Sequence, residues 1–422
     1  MTRRLAVSVE TTGGVLFREI EAASPLREDV ERGAAAEEAT DEAAALWGLP
    51  DFLFRAELLP LGSGTREIGD RLLIVGGLGA VVQVKSREGP VGDDAKERRW
   101  IEKKLAHGLR QAHGTIRKLK TGPVRLTNAR GRVFDVDGRE LHFLAVVVID
   151  HDAAPDAVTP AVADEPNPSV VILRRDWEFL FDQLRSTYAV LRYFERVAAD
   201  KPVELGDEPL RYYNLAVEDD ATPPGSLDSR LLRPHAQRMS IPMLPVRHPE
   251  LHDDLRPQLL VRLIFEDVAS IPAASIDEQA RLRLLATLDR LPVSLRDGVG
   301  RFLIDAMEEN AKPTVGHSQW RQRRIVSDAE GNDPPLQLAY AACSLPHDDV
   351  VQEMFGSLVQ LRHHDLYQVF QRDDLMTIGL LLTPRSNGRQ WDTTLVATGG
   401  DPKLDADLLE LLRQTWPEPE AV

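Results

Sequence analysis

Apolar residues recur at two different periods along the first half of the chain and so predict its helices and strands. Residues 34–47, AAAEEATDEAAALW, are rich in helix formers and stop at Gly48, which predicts a helix. The runs REIGDRLLIV and AVVQVKS flank GGLG at 76–79, which predicts an antiparallel hairpin. The nearly continuous apolar run 141–150 predicts a strand that is covered on both faces.

Residues 94–120 have the repeat of an amphipathic helix. Their apolar positions are three or four residues apart, so they line one face. These positions are Ile101, Leu105, Leu109, Ala112, Ile116 and Leu119. The segment is therefore predicted to cover a sheet with this face and to direct its charged residues to solvent.

Together these elements predict a mixed α/β fold, with an αβββαβ order in the N-terminal half. Acidic residues, two prolines and a glycine coincide at 218–230, which marks a domain boundary. Beyond it, 231–315 is mainly helical, and 320–422 returns to a mixture of strands and helices. The expected organisation is an N-terminal domain at 1–218, a helical region at 231–315 and a C-terminal α/β domain at 320–422.

Charge is distributed unevenly over the 422 residues. The net charge is −16, yet residues 96–120 hold nine Lys or Arg against two Glu. Such a segment is predicted to bind a polyanion locally while the remaining surface repels it. The proposed nucleic-acid contacts are Lys103, Lys104, Arg110, Arg117 and Lys118. The alternative is a solvated helix face that has no partner.

Other features of the composition bear on location and chemistry. The absence of any run of 18 or more apolar residues argues against a membrane span, and the start lacks the pattern of a secretory signal. Cys343 is the single cysteine, which excludes an internal disulfide framework and fits a reducing compartment. We therefore expect a cytosolic protein.

Three polar residues of the predicted hairpin are candidates for a metal site. Gln83 and Lys85 share one face of their strand. A two-residue turn at Gly77 and Leu78 would set Asp70 opposite Lys85, and Leu72 opposite Gln83. All three polar side chains then lie on one face of the hairpin.

Oxygen atoms near this face match the ligands that Mg²⁺ prefers. Asp70, the Gln83 amide oxygen and the Val84 carbonyl could hold Mg²⁺ or Mn²⁺, and Lys85 could stabilise charge on a phosphate. A further carboxylate could come from Glu38 or Glu42, which are four apart on the predicted helix.

The order of these elements, with the motif QVKSR at 83–87, resembles the PD-(D/E)XK nuclease superfamily, in particular its Mrr-like Gln-x-Lys variants. The resemblance covers roughly 30–150. It implies a restriction-endonuclease-like fold in which Asp70 binds metal, Gln83 fills the second motif position, Lys85 is the catalytic lysine and Glu38 or Glu42 is the helix glutamate. Two departures are Gly69, where many members have proline, and Gln83, which removes one anionic ligand.

The resemblance implies a metal-dependent nuclease that acts on nucleic acid, with DNA preferred, in bacterial defence against foreign DNA. Because enzymes that cut both strands usually dimerise, a homodimer or larger assembly is expected. Two alternatives remain open. One is an inactive nuclease-fold protein that binds nucleic acid or protein, and the other is an activity in the C-terminal half, which could also bind a protein partner.

Two C-terminal motifs are weaker candidates. His363, His364 and Asp365 are adjacent in sequence, but neighbouring side chains diverge on a strand or a helix, so a joint metal site is not predicted. The basic motif WRQRR at 320–324 fits a domain interface better than a nucleic-acid surface.

Overall fold

The computed structural model describes most of the chain. The described residues are 5–11, 13–56, 59–61, 64–66, 71–89, 91–160, 167–221, 244–245, 252–272, 276–312, 318–327, 336–385 and 390–417. Within them the fold belongs to the mixed α/β class that the sequence predicts.

The elements are numbered here in chain order. The strands are β1 Leu5–Thr11, β2 Gly14–Ile20, β3 Leu53–Ala56, β4 Leu59–Leu61, β5 Gly64–Arg66, β6 Arg71–Val75, β7 Leu78–Ser86, β8 Val124–Asn128, β9 Val133–Val136, β10 His142–Asp150, β11 Ser169–Leu173, β12 Trp320–Ser327, β13 Leu336–Cys343, β14 Met376–Pro384 and β15 Trp391–Gly399. The helices are α1 Arg32–Trp47, α2 Asp94–Leu119, α3 Arg174–Leu184, α4 Thr187–Ala198, α5 Glu208–Ala221, α6 His252–Ala269, α7 Glu278–Asp289, α8 Val293–Asn310, α9 Asp349–Phe370 and α10 Ala406–Thr415.

The chain forms two compact units. The first contains Met1–Thr222, Pro242–His248 and Pro272–Val293, and the second contains Pro223–Ile241, Pro249–Ile271 and Ser294–Val422. The first long segment ends inside the predicted boundary at 218–230. The predicted helical region at 231–315 is not a separate domain, because α7 belongs to the first unit and α6 to the second.

A seven-stranded sheet forms the centre of the first unit. Its strand order is β11-β10-β7-β6-β3-β8-β9. Strand β10 is parallel to both β7 and β11, whereas β6 is antiparallel to β7 and to β3. The elements α1, β3, β6, β7, α2 and β10 occur in this order along the chain, with β4 and β5 between β3 and β6, and β8 and β9 between α2 and β10. Strands β1 and β2 form a separate hairpin that the sequence pattern did not predict.

Helix α2 covers one face of this sheet. Asp93 caps its N-terminus by accepting a hydrogen bond from the Lys96 backbone N–H at 2.8 Å. All six predicted apolar positions of the helix are buried, and five of them join the core formed with Val81, Val147 and Ile149. The predicted amphipathic helix is therefore confirmed. Helices α1 and α3 contact each other and also contact β7 and β10, respectively.

The second unit is built on a sheet of order β12-β13-β14-β15. Strands β13 and β14 are parallel and α9 connects them, whereas both outer strands are antiparallel to their neighbours. Helices α9 and α10 contribute to one core with Cys343, which is buried. In the ranges described above, no helix combines the length and the apolar character that crossing a membrane requires.

Candidate functional site

The β6–β7 hairpin turns at Gly76 and Gly77. Gly76 has a φ of 58°, in the left-handed region that favours glycine. The expected register set Leu72 opposite Gln83, but the structure pairs Leu72 with Val81. The register differs by two residues, so the side chains of β6 and β7 stay on their predicted faces.

Gln83 and Lys85 lie side by side on the face of β7 that α2 covers. Gln83 is only 4% exposed, and its Oε1 accepts a hydrogen bond from Lys85 Nζ at 2.8 Å. Lys85 is half-buried. Asp70, the third residue of the predicted group, lies outside the described residues. The structure therefore brings together the two residues of the Gln-x-Lys motif.

Lys85 extends to α2 at Gly108. A Cβ atom at position 108 would lie 3.4 Å from Lys85 Cε, and 3.0 and 3.1 Å from the two Cγ atoms of Val147. Glycine inside a helix costs about 1 kcal/mol relative to alanine. The absence of a Cβ atom at Gly108 leaves room for the side chains of Lys85 and Val147, at this expense in helix propensity.

His107, the residue before Gly108, is exposed on α2. Partial loss of hydration lowers its pKa below the usual 6.5, and the positive charges of Lys85, Arg110, Lys104 and Lys103 lower the pKa further, in that order. The imidazole therefore lies within the field of four cations, one from the sheet and three from its own helix.

The predicted nucleic-acid contacts all lie on α2, and we call them the α2 cationic surface. They are Lys103, Lys104, Arg110, Arg117 and Lys118. All are exposed except Lys104, which is half-buried with its Nζ 5.8 Å from the centroid of the Trp100 ring. The successive members Lys103, Arg110 and Arg117 are seven residues apart, or about 10 Å along a helix.

None of these five cations has an ion-pair partner among the residues that the structure describes. Elsewhere in the first unit, arginines commonly contact carboxylates, as Arg71 contacts Glu37 at 2.7 Å. The α2 cationic surface thus keeps its positive charge, although the chain as a whole is acidic.

The structure corrects the expectation for the carboxylates of α1. Glu38 forms an ion pair with Arg27 at 3.2 Å, and Glu42 is exposed. Neither side chain joins Gln83 and Lys85. The predicted role of Glu38 or Glu42 as the helix glutamate of the site is therefore not supported by their positions.

Other carboxylates of α1 face the sheet. Asp41 accepts hydrogen bonds from Arg71 Nε at 3.0 and 3.1 Å and from Arg55 at 3.3 Å. Burial raises the pKa of Asp41, and the two arginines oppose this rise. Arg71 pairs with Val82, whose side chain points away from the Gln83 face. Helix α1 is thus anchored to the opposite face of the sheet.

A buried polar cluster that sequence reasoning missed lies where β7 and β10 end. Glu97 of α2 is 1% exposed and accepts hydrogen bonds from Arg87 at 2.7 and 3.1 Å. It also accepts from the backbone N–H of Gly92 at 2.6 Å, and His151 Nε2 lies 2.9 Å away. The Arg87 hydrogen bond, followed by those of Gly92 and His151, holds the pKa of Glu97 far below its usual range.

Asp150 forms a second cluster at the same end of the sheet. It accepts hydrogen bonds from Ser86 at 2.8 Å, from Arg174 at 2.8 Å and from Arg32 at 3.2 Å. The available sequence signal was the polar residues Ser86 and Asp150 at the C-terminal ends of two parallel strands, a common location for sites in α/β sheets. Here the groups neutralise one another, so these clusters fix α1, α2 and α3 to the sheet.

The weaker candidates are held within the second unit. His363 is buried in α9, with Nδ1 3.0 Å from Thr377 Oγ1 and Nε2 donating to the Gly400 carbonyl at 2.7 Å. Burial lowers its pKa. Asp365 instead lies 3.6 Å from Arg324. The two side chains therefore contact different groups.

The arginines of the WRQRR motif also contact their own unit. Arg321 pairs with Glu309, and the Arg323 guanidinium lies 4.9 Å from the centroid of the Phe302 ring. Both contacts lie within the second unit, so they do not support the interpretation of this motif as a nucleic-acid surface.

Two of the three predicted metal donors belong to the described part of the chain. The Gln83 amide oxygen and the Val84 carbonyl are hard oxygen donors of the kind Mg²⁺ accepts, but the carboxylate would come from Asp70. Among the described residues there is no group of three or more His, Cys, Asp and Glu side chains that could hold a metal ion.

No protein-family model, curated protein or solved structure matches this chain.

Proposed function

We propose that the first unit is a metal-dependent nuclease that hydrolyses phosphodiester bonds in DNA. One observation carries this proposal. Lys85, held by Gln83, lies next to Gly108 in the middle of a helix whose exposed cations have no carboxylate partners in the described chain. A strand lysine beside a row of free positive charges is the arrangement that a reaction on a polyanion requires.

Substrate binding is the role of the α2 cationic surface. A row of cations about 10 Å apart can contact successive phosphates along a nucleic-acid backbone. The strongly negative remainder of the protein limits contacts elsewhere, so binding is confined to this helix. The proposed binding mode is sensitive to salt and insensitive to sequence.

Lys85 is the proposed catalytic residue. Its ammonium group stabilises the negative charge that grows on the phosphate as the bond to the leaving oxygen breaks. The Gln83 hydrogen bond restricts the motion of the lysine, which lowers the cost of holding it in place beside α2.

A divalent cation completes the proposal. Asp70, Gln83 and Val84 would hold Mg²⁺ or Mn²⁺, which when bound lowers the pKa of a coordinated water and so supplies a nucleophile. Glu38 and Glu42 have no part in this scheme. The resemblance further implies that the protein acts as a homodimer or larger assembly in the cytosol, in defence against foreign DNA.

A cleavage assay tests the function. Linear and supercoiled DNA and single-stranded RNA are incubated with Mg²⁺, with Mn²⁺ or with EDTA. Lys85→Met removes the charge but keeps an unbranched apolar side chain beside α2. Lys201→Met makes the same chemical change at an exposed lysine of the first unit outside β7 and α2.

We expect metal-dependent cleavage of DNA by the wild type and by Lys201→Met. Loss of one electrostatic group should slow Lys85→Met by about 10² to 10³-fold. Cleavage by Lys85→Met at the wild-type rate would refute the mechanism, and cleavage of RNA alone would correct the substrate.

A second candidate function is a non-catalytic nucleic-acid-binding protein. The specific observation in its favour is that Gln83 Oε1 already accepts a hydrogen bond from Lys85. Glutamine also brings no negative charge to attract a cation. The same assay separates the two functions, because a binding protein would retain DNA in EDTA and leave it intact in Mg²⁺ and Mn²⁺.

A further inference from the structure

We propose that His107 is a phosphate-contact residue of the α2 cationic surface and takes up a proton when nucleic acid binds, so that binding strengthens as the pH falls. This inference deepens the proposed function and rests on its nucleic-acid-binding step. It does not require cleavage.

The position of His107 on α2 supports this role. It follows Lys103 by four residues and Lys104 by three, and it precedes Arg110 by three, so it neighbours all three on the helix surface. The imidazole is exposed, and a Cβ atom at the adjacent position 108 would lie 3.4 Å from Lys85 Cε. A phosphate that contacts these cations would therefore come within reach of the imidazole.

The charges around His107 determine how it responds to a polyanion. The groups that act on it are Lys85 from β7 and Lys103, Lys104 and Arg110 from α2, all positive. Partial loss of hydration, followed by the charges of these four groups, lowers the pKa of His107 and so favours the neutral imidazole in the free protein. A bound phosphate places negative charge among these cations and therefore favours the imidazolium.

The direction of the pH effect follows from proton linkage. The pKa of His107 is lowered in the free protein and rises in the complex, so the complex binds more protons between these two pKa values. In that window the affinity increases by at most about tenfold for each pH unit of decrease. Above the pKa of the complex and below that of the free protein, this contribution is constant.

Binding is measured by fluorescence anisotropy of a labelled 20-base-pair duplex in EDTA, at constant ionic strength, from pH 8.0 to pH 5.5. EDTA prevents metal-dependent cleavage. The variants are His107→Gln and, as a matched control, His142→Gln at an exposed histidine at the start of β10. We expect Kd to fall by about threefold to tenfold for the wild type and the control, and by less than about twofold for His107→Gln.

Carbon-13 NMR of labelled histidines provides a direct measurement. The resonance that is missing in His107→Gln should titrate below pH 6.5 in the free protein and at a higher pH when the duplex is present. An equal pH dependence of Kd in wild type and His107→Gln, or a pKa that the duplex leaves unchanged, would overturn the proposal.

The outcomes separate this proposal from the proposed function. pH-dependent binding through His107 without cleavage in Mg²⁺ would support the inference and refute the nuclease. Failure of the wild type to bind the duplex at any pH would overturn both, because the binding step itself would be absent.

Discussion

Replacing Gly108 with alanine tests whether Lys85 is held against α2. The new Cβ would lie 3.0 and 3.1 Å from the Val147 Cγ atoms and 3.4 Å from Lys85 Cε. Alanine gains about 1 kcal/mol of helix propensity, whereas overpacking of a core costs about 1 to 3 kcal/mol. We therefore expect Gly108→Ala to change the free energy of unfolding by between no effect and a loss of about 2 kcal/mol.

Gly114 on the same helix is the matched control. A Cβ there has its nearest contact at 3.9 Å, to Arg117 Nη2, so the substitution meets no steric conflict. Gly114→Ala should stabilise the protein by about 1 kcal/mol, or raise Tm by about 2 to 4 °C for a unit of this size. Urea and thermal unfolding of both variants, followed by circular dichroism, measure the difference.

The same pair of variants tests function. If Lys85 is displaced by the alanine, Gly108→Ala should bind duplex DNA normally but cleave it at least about tenfold more slowly, because a small displacement of a catalytic group is costly. Gly114→Ala should cleave at the wild-type rate.

Equal stabilisation of the folded state by Gly108→Ala and Gly114→Ala would refute the argument that Lys85 and Val147 are packed closely against α2 at position 108.

Two further predictions concern charge. Glu97→Gln should lower stability at pH 7, because folding depresses the pKa of Glu97 and the ionised carboxylate therefore stabilises the folded state above its ordinary pKa of 4.5. This stabilisation is lost as the pH falls through the folded-state pKa, so the difference in urea midpoint between variant and wild type should narrow in acid. A difference in midpoint that stays constant with pH would contradict the interactions of Glu97 with Arg87 and His151. Arg110→Ala should weaken duplex binding by a similar factor for all sequences. It should also reduce the magnitude of the slope of log binding constant against log salt concentration by about one. An unchanged slope would mean that Arg110 contacts no phosphate.

The sequence predicted α2 well because its periodicity and its cap agree. The apolar positions repeat over about five turns, from Ile101 to Leu119, and Asp93 supplies the N-cap. The same helix also has a basic face, so both its packing and its candidate function were visible in the pattern. Strand β10 was predictable for a similar reason, since eight of its nine residues are buried.

The hairpin register and the orientation of α1 were harder to predict. GGLG permits more than one turn position, and the structure turns at Gly76 and Gly77. Helix α1 is rich in alanine, so its pattern hardly distinguishes one face from another. Its orientation instead reflects the ion pairs of Glu37 and Asp41 with Arg71, which are contacts between residues 30 or more positions apart.

The grouping of the central helices could not be predicted from local patterns. Helices α6 and α7 are adjacent in sequence, yet they belong to different units. Their assignment depends on long-range contacts, such as the hydrogen bond from Ser186 Oγ to the Asp289 carbonyl at 2.6 Å.

The most direct test of the central claim is single-turnover cleavage of duplex DNA by Lys85→Met, with Kd measured on the same preparations. The account predicts a rate at least about 10²-fold below wild type, with Kd unchanged within about threefold. A Lys85→Met protein that cleaves DNA as fast as the wild type would contradict the assignment of Lys85 as the catalytic residue.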